Sequence, residues 1–191
     1  MQDAVPFGLG AMAAILGLDF ETVSQITNSS SNDQICQAAN DNDPGQVVIS
    51  GHKNAVEQTI ELAKDAGAKR AVLLPVSAPF HCSLMQPAAD IMAKALNDIK
   101  LMDPIVPLVA NVRANEQNNG GIIKDLLIEQ VTGSVRWRES VEFMSSKGVS
   151  EIFEIGAGKA LSGMVRRIDR EISVNQVFDT SSVHAAVLKL K

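Results

Sequence analysis

Six residues, Asn40-Asp-Asn-Asp-Pro-Gly45, constrain this chain most. Each is a turn former, for reasons of side-chain hydrogen bonding, fixed φ or freedom at positive φ. They lie between two short strand-prone segments, 35–39 and 46–50. A turn this short joins only antiparallel neighbours, because a parallel pair needs a crossover of roughly a dozen residues. The flanks extend the pattern. An apolar run at 11–16 is bounded by glycines, as a buried strand would be. Asp19 is placed to cap a helix in which Phe20, Val23 and Ile26 recur at helical spacing. A polar loop is expected at 28–33. Residues 53–66 form an amphipathic helix with Val56, Ile60 and Ala63 on one face and Gly67 as its stop. A strand at 70–74 follows.

Strand-helix-strand-strand-helix-strand is the split βαβ, or ferredoxin-like, order, and it fills 8–75. The rest, 76–191, changes rhythm. A loop leads to a helix near 85–99 with Ala88, Ile91, Met92 and Ala95 inward. A strand at 105–110, a loop at 115–121, helices near 122–131 and 135–147, a strand at 151–155, a helix at 159–170, a strand at 174–177 and a helix at 182–190 complete the chain. Alternating strands and short-linked helices predict parallel strands covered by helices, too few for a complete doubly wound sheet.

Composition narrows the class. At 191 residues and 46% hydrophobic, the chain buries a core without disulfides or metals. Six Phe, one Trp and a net charge of -5 argue against base stacking and phosphate-backbone binding, so no nucleic-acid partner is expected. Two cysteines make no disulfide framework, and a reducing cytoplasm is the simpler expectation. No apolar run approaches the ~20 residues of a membrane span, and the first residues lack a signal-peptide pattern, so no membrane partner is expected either.

His81 is the residue most suggestive of chemistry. It sits in Pro75-Val-Ser-Ala-Pro-Phe-His-Cys-Ser83, between a strand and a helix, where α/β proteins place reactive groups. Its ordinary pKa near neutrality suits a general base, although a loop histidine bonded to backbone is the alternative. Cys82 reads as a buried cysteine, since adjacent side chains seldom aim at one point. Gly156-Ala-Gly-Lys159 could cradle a phosphate or could be a tight turn, and it is not a Walker motif. Arg166, Arg167 and Arg170 read as a solvated face, and His52 and His184 as surface or capping residues.

Several stretches resemble the malonyl-CoA:acyl-carrier-protein transacylase family, in the same order along essentially the whole chain. They are Met1-Gln-Asp-Ala-Val-Pro6, Gly10-Ala-Met-Ala-Ala-Ile-Leu-Gly-Leu18, Ala39-Asn-Asp-Asn-Asp-Pro-Gly-Gln-Val-Val-Ile-Ser-Gly-His52, Ala66-Gly-Ala-Lys-Arg70, Pro75-Val-Ser-Ala-Pro-Phe-His-Cys-Ser-Leu-Met85 and Glu154-Ile-Gly-Ala-Gly-Lys-Ala-Leu161. The resemblance implies a ferredoxin-like subdomain at 8–75, followed at 76–191 by the C-terminal part of an α/β-hydrolase-like acyltransferase subdomain. It implies that His81 is the catalytic base and that the backbone carbonyl of Gln130 orients it. It implies that Asn40 and Asn42 line the malonyl pocket. Phe80 matches a position where related polyketide acyltransferases favour Phe for malonyl and Ser for methylmalonyl. Ala157 replaces the family's usual Pro.

The implied reaction moves malonyl from coenzyme A to the phosphopantetheine thiol of acyl carrier protein through an acyl-serine, in fatty acid synthesis, with no metal or redox cofactor. The family's serine lies in a Gly-His-Ser-Leu-Gly elbow, and no Gly-x-Ser-x-Gly occurs in this sequence. The family's malonyl-binding arginine and oxyanion-hole glutamine are missing as well. The resemblance therefore implies a C-terminal portion that begins at an internal methionine, needs the upstream segment as a partner and is inactive alone. The alternative is a non-catalytic module that docks acyl carrier protein.

Overall fold

The computed structural model describes residues 1, 4–30, 34–76 and 78–191, residue 30 by its backbone alone. Gln2, Asp3 and Ser77, and residues 31–33 of the expected polar loop, lie outside the described residues. The chain divides into two compact units, Met1–Ser140 and Val141–Lys191.

The first unit opens with the expected order: β1 (Gly10–Leu16), α1 (Phe20–Ser30), β2 (Cys36–Asp43), β3 (Gln46–His52), α2 (Lys53–Asp65) and β4 (Arg70–Leu73). The strands form one four-stranded sheet in the order β2-β3-β1-β4, antiparallel throughout. This is the ferredoxin-like topology, and Ala13 at its centre pairs with Ile49 on one side and Leu73 on the other. Alternation along the strands sorts the side chains between two cores. Ala11, Ala13, Ile15, Val47 and Ile49 join Val23, Val56 and Ile60 beneath the helices. Met12, Ala14 and Val48 pack on the opposite face with Ala39. Both faces are covered, which is why the β1 segment reads as a continuous apolar run rather than an alternating one.

Asp19 caps α1 as expected, with Thr22 N donating to its Oδ1 at 2.7 Å. The helix runs to Ser30, past Asn28 where the loop was expected to begin. The Asn40–Gly45 cluster also differs from expectation. β2 continues through Asp43, so the turn is only Pro44-Gly45, and Gly45 N donates to Asp43 Oδ1 at 3.1 Å. Irregularities between Ala38 and Asn40 and between Asp41 and Asp43 let β2 extend through these residues as a bulged edge strand.

Beyond β4 come a 3-10 turn (Ser83–Met85), α3 (Gln86–Asn97), β5 (Leu108–Ala110), β6 (Asn115–Gln117), α4 (Gly120–Glu129) and α5 (Trp137–Ser146). The inward face of α3 is a correction. Ala88 and Ala89 are buried and Met92 packs with them, but Ile91 is 67% exposed and Ala95 is exposed. Burial at Met85, Ala88, Ala89 and Met92 steps by three and four, which rotates the inner stripe away from Ile91. The strand expected at 105–110 is confined to β5, and the start of the loop expected at 115–121 is instead β6, its antiparallel partner. Ala114, at φ +51, closes a tight turn onto Ala110 O at 2.7 Å, and a link this short permits only antiparallel pairing.

The second unit holds β7 (Glu151–Ile155), α6 (Ala160–Ile168), β8 (Ser173–Val177) and α7 (Thr180–Lys189). β7 and β8 pair in parallel with α6 as their crossover, as the alternating rhythm predicted. A capping box between Asp179 and Ser182 starts α7. Among the described residues, no helix is long and apolar enough to cross a membrane.

Ile49 is fully buried under the helices, so Ile49→Ala should lower stability by about 2–5 kcal/mol in urea denaturation. Ile91→Ala should change it by less than about 0.5 kcal/mol. Equal losses at the two positions would put Ile91 inside after all.

Candidate active site

The segment after β4 is pinned before it reaches His81. Leu74 N donates to Met12 O at 2.9 Å, and Pro79 lies so close to β1 that a Cβ on Gly10 would stand 2.4 Å from its Cδ. Only a glycine admits that approach. Ala78, Pro79 and Cys82 are fully buried on either side of half-buried His81. Phe80 wedges between two clusters, one with Met85, Ala88 and Val131 and one with Met12, Ala14 and Val48. These anchors hold His81 at φ +59, a left-handed conformation that costs a residue with a Cβ about 1–2 kcal/mol.

The ring meets the end of α4. Gln130 is the C-cap of that helix, and His81 Nδ1 lies 3.0 Å from its backbone oxygen. The last carbonyls of a helix have no partner within it, so this oxygen is available. A carbonyl can only accept, so Nδ1 carries the proton and Nε2 keeps its lone pair, the form a general base requires. The Gln130 side chain turns inward on its own turn, with Nε2 donating to Gly133 O at 3.0 Å and Ser134 O at 3.4 Å.

The structure thus brings His81 and Gln130 together. Asn40 and Asn42 are half-buried on β2 and, among the described residues, hydrogen-bond to neither. Phe80 lines a groove of about 570 Å³ with Phe7, Lys53, Leu74 and Val76. Sequence reading missed Asp41, which is buried on β2 and ion-paired with Arg138 at 2.8 Å. Its only signal was being one of four acidic or amide residues in a turn cluster, which says nothing of burial.

Other candidates resolve into structural roles. The Gly156–Lys159 segment is a turn, and the anion at the start of α6 is the chain's own. Glu154 accepts from Leu161 N at 3.1 Å, from Ser162 N at 2.8 Å and from the Ser162 hydroxyl. Burial pushes the Glu154 carboxyl upward, but the Ser162 and Leu161 hydrogen bonds outweigh it and hold its pKa below the ordinary value. His52 precedes α2 and its Nδ1 accepts from Ile35 N at 2.9 Å. His184, Arg166, Arg167 and Arg170 are exposed.

Comparison with known proteins puts this geometry in context. No protein-family model matches the chain. A protein of Escherichia coli K12 is 45% identical over 187 residues, which is 98% of this chain and 60% of that protein. That protein is a malonyl-CoA–acyl carrier protein transacylase. The Bacillus subtilis transacylase is 44% identical over 192 residues. The crystal structure of an acyl-carrier-protein S-malonyltransferase from Bartonella henselae superposes with a TM-score of 0.95 at 50% identity, covering 99% of this chain and 60% of that one. A malonyl-transacylase solved in complex with a type II polyketide synthase acyl-carrier protein superposes equally well, at 0.95 and 43% identity. The chain therefore has the malonyltransferase fold over its whole length and spans about 60% of the length of the transacylases it matches.

Both thiols are free and buried, and burial raises both pKa values, that of Cys36 to about 11 from the usual 9.0. Neither should react with an aromatic disulfide reagent at pH 8 in the native chain, and both should react in denaturant. The folded state holds the Cys36 proton more tightly than the unfolded one. That contribution is complete below pH 9.0 and is lost as pH rises toward 11. Denaturation midpoints across this window check the sign, and rapid native labelling at pH 8 would contradict the burial.

Proposed function

We propose that this chain carries the histidine-bearing, C-terminal portion of a malonyl-CoA–acyl carrier protein transacylase, with His81 as its general base. The observation that supports this best is the 3.0 Å contact from His81 Nδ1 to the Gln130 carbonyl, in a chain 45% identical to such an enzyme. In the proposed reaction, His81 Nε2 takes the proton of a serine hydroxyl as the serine oxygen attacks the malonyl thioester carbonyl. Collapse of the tetrahedral intermediate breaks the C–S bond, and the imidazolium returns its proton to the coenzyme A thiolate. The same steps in reverse order, with the phosphopantetheine thiol of acyl carrier protein as nucleophile, release the serine. Asn40 and Asn42 supply amides for the malonyl group, and Phe80 shapes the pocket beside the base.

The serine must come from residues this sequence does not contain, so its partners are malonyl-CoA, acyl carrier protein and the upstream segment of the same enzyme. Two free thiols fit a reducing cytoplasm. We also propose that 8–75 and 76–191 are the two subdomains, small and large, of the complete enzyme. The absence of Gly-x-Ser-x-Gly favours a second reading for the chain by itself, a carrier-protein-binding module without chemistry.

The chain alone should transfer no label from radiolabelled malonyl-CoA to acyl carrier protein, since loss of the nucleophile costs on the order of 10⁶ in a serine-histidine enzyme. Co-expression with the segment that the Escherichia coli transacylase has and this chain lacks should restore transfer. His81→Gln in that complex should lower it by about 10²- to 10⁴-fold. Stoichiometric label on the short chain alone would identify another nucleophile and sink the proposal. Carrier-protein binding without transfer in the complex would establish the module instead.

A further inference from the structure

β2 holds both sides of the His81–Gln130 contact. On the histidine side, Ser83 N, two residues beyond His81, donates to Gln37 Oε1 at 2.7 Å. On the glutamine side, the segment after α4 lies along the free edge of β2. Ser134 Oγ donates to Ala38 O at 2.6 Å, Val135 N to Ala39 O at 2.8 Å, and Asp41 N to Val135 O at 2.9 Å. Arg138 closes this seam with a forked grip on Asp41: Nε at 3.2 and 3.0 Å from the two carboxylate oxygens and Nη2 at 2.8 Å from one. The Asp41 side chain is 1% exposed and that of Arg138 28%. A carboxylate so buried persists only if it is paired. The Gln130 side chain braces the turn at Gly133 and Ser134, which ties the backbone at 130 to the segment on the β2 edge.

We propose that Asp41 and Arg138 are positioning residues for His81: their ion pair fixes residues 134–138 on the β2 edge and thereby aims the Gln130 carbonyl at Nδ1. This rests on the reading of His81 as the base. The tolerance is small. At 3.0 Å, a slip of roughly half an ångström takes the contact outside N–H···O range. Losing it frees the ring to place its proton on Nε2, where it can accept nothing from a serine. An Arg fork is needed because a lysine offers one point of attachment and lets the segment pivot.

The test is the tautomer of His81 in the full 191-residue chain, read from imidazole nitrogen NMR at the alkaline end of a pH series, where the signals no longer change with pH. In the wild type, His81 should report the Nδ1–H form. His52, whose Nδ1 accepts from Ile35 N, should report the Nε2–H form and serves as an internal reference. His81→Gln assigns the signal. Asp41→Asn and Arg138→Gln should shift the His81 tautomer ratio toward Nε2–H by roughly fivefold, the bias of one typical hydrogen bond. Arg138→Lys should shift it less. Val23→Ala, which opens a cavity beneath the helices, should lower Tm and leave the ratio alone. An unchanged ratio in Asp41→Asn and Arg138→Gln would overturn the proposal, as would an equal shift in Val23→Ala. Should Asp41→Asn not fold, Arg138→Lys carries the test. Failure of the base reading shows separately: transfer by the reconstituted complex would survive His81→Gln whatever the tautomer data show.

Discussion

An edge strand presents a row of unpaired backbone groups, and the handling of one such edge organises the first unit. β2 is the outer strand of the sheet. Residues 134 and 135 pair with its free side, and the Asp41–Arg138 ion pair closes the seam. The two irregularities in β2 flank this region, and bulges of this kind re-aim side chains and interrupt pairing. That seam, together with the packing of Val131 and Phe80, relates the turn after α4 to the sheet.

The histidine reaches the same place from the other direction, through strain. A left-handed φ at a residue with a Cβ persists only where its surroundings leave no alternative. Fully buried Pro79 and Cys82 supply that restraint, together with the close approach of Pro79 to Gly10. The ring is then presented to a helix C-terminus, whose free carbonyl faces Nδ1. A backbone carbonyl thus stands against Nδ1, the ring nitrogen that a carboxylate holds in a Ser-His-Asp arrangement.

The apolar surface left over is consistent with a chain that spans about 60% of its relatives' length. Phe7 is 92% exposed, and the groove it lines with Leu74 and Phe80 is apolar. Surfaces of that kind bury something in most proteins that carry them.

Much of this was legible from the residues. The turn cluster at 40–45 required antiparallel pairing, and the pairing is antiparallel, because short links leave no geometric choice. The periodicity of 53–66 and the caps at Asp19 and Gly67 placed α1 and α2, since helix ends follow local hydrogen bonding. Family resemblance, not spacing, supplied the pairing of His81 with Gln130, residues 49 apart in sequence. Tertiary packing decided the rest. It turned the α3 stripe away from Ile91, paired β5 with β6 in antiparallel fashion, and put Glu154 where Gly156–Lys159 hinted at a phosphate. It also buried Asp41 against Arg138, 97 residues away. Local propensity is written in neighbouring residues, whereas which face is covered and which charge finds a partner depend on segments that meet only after folding.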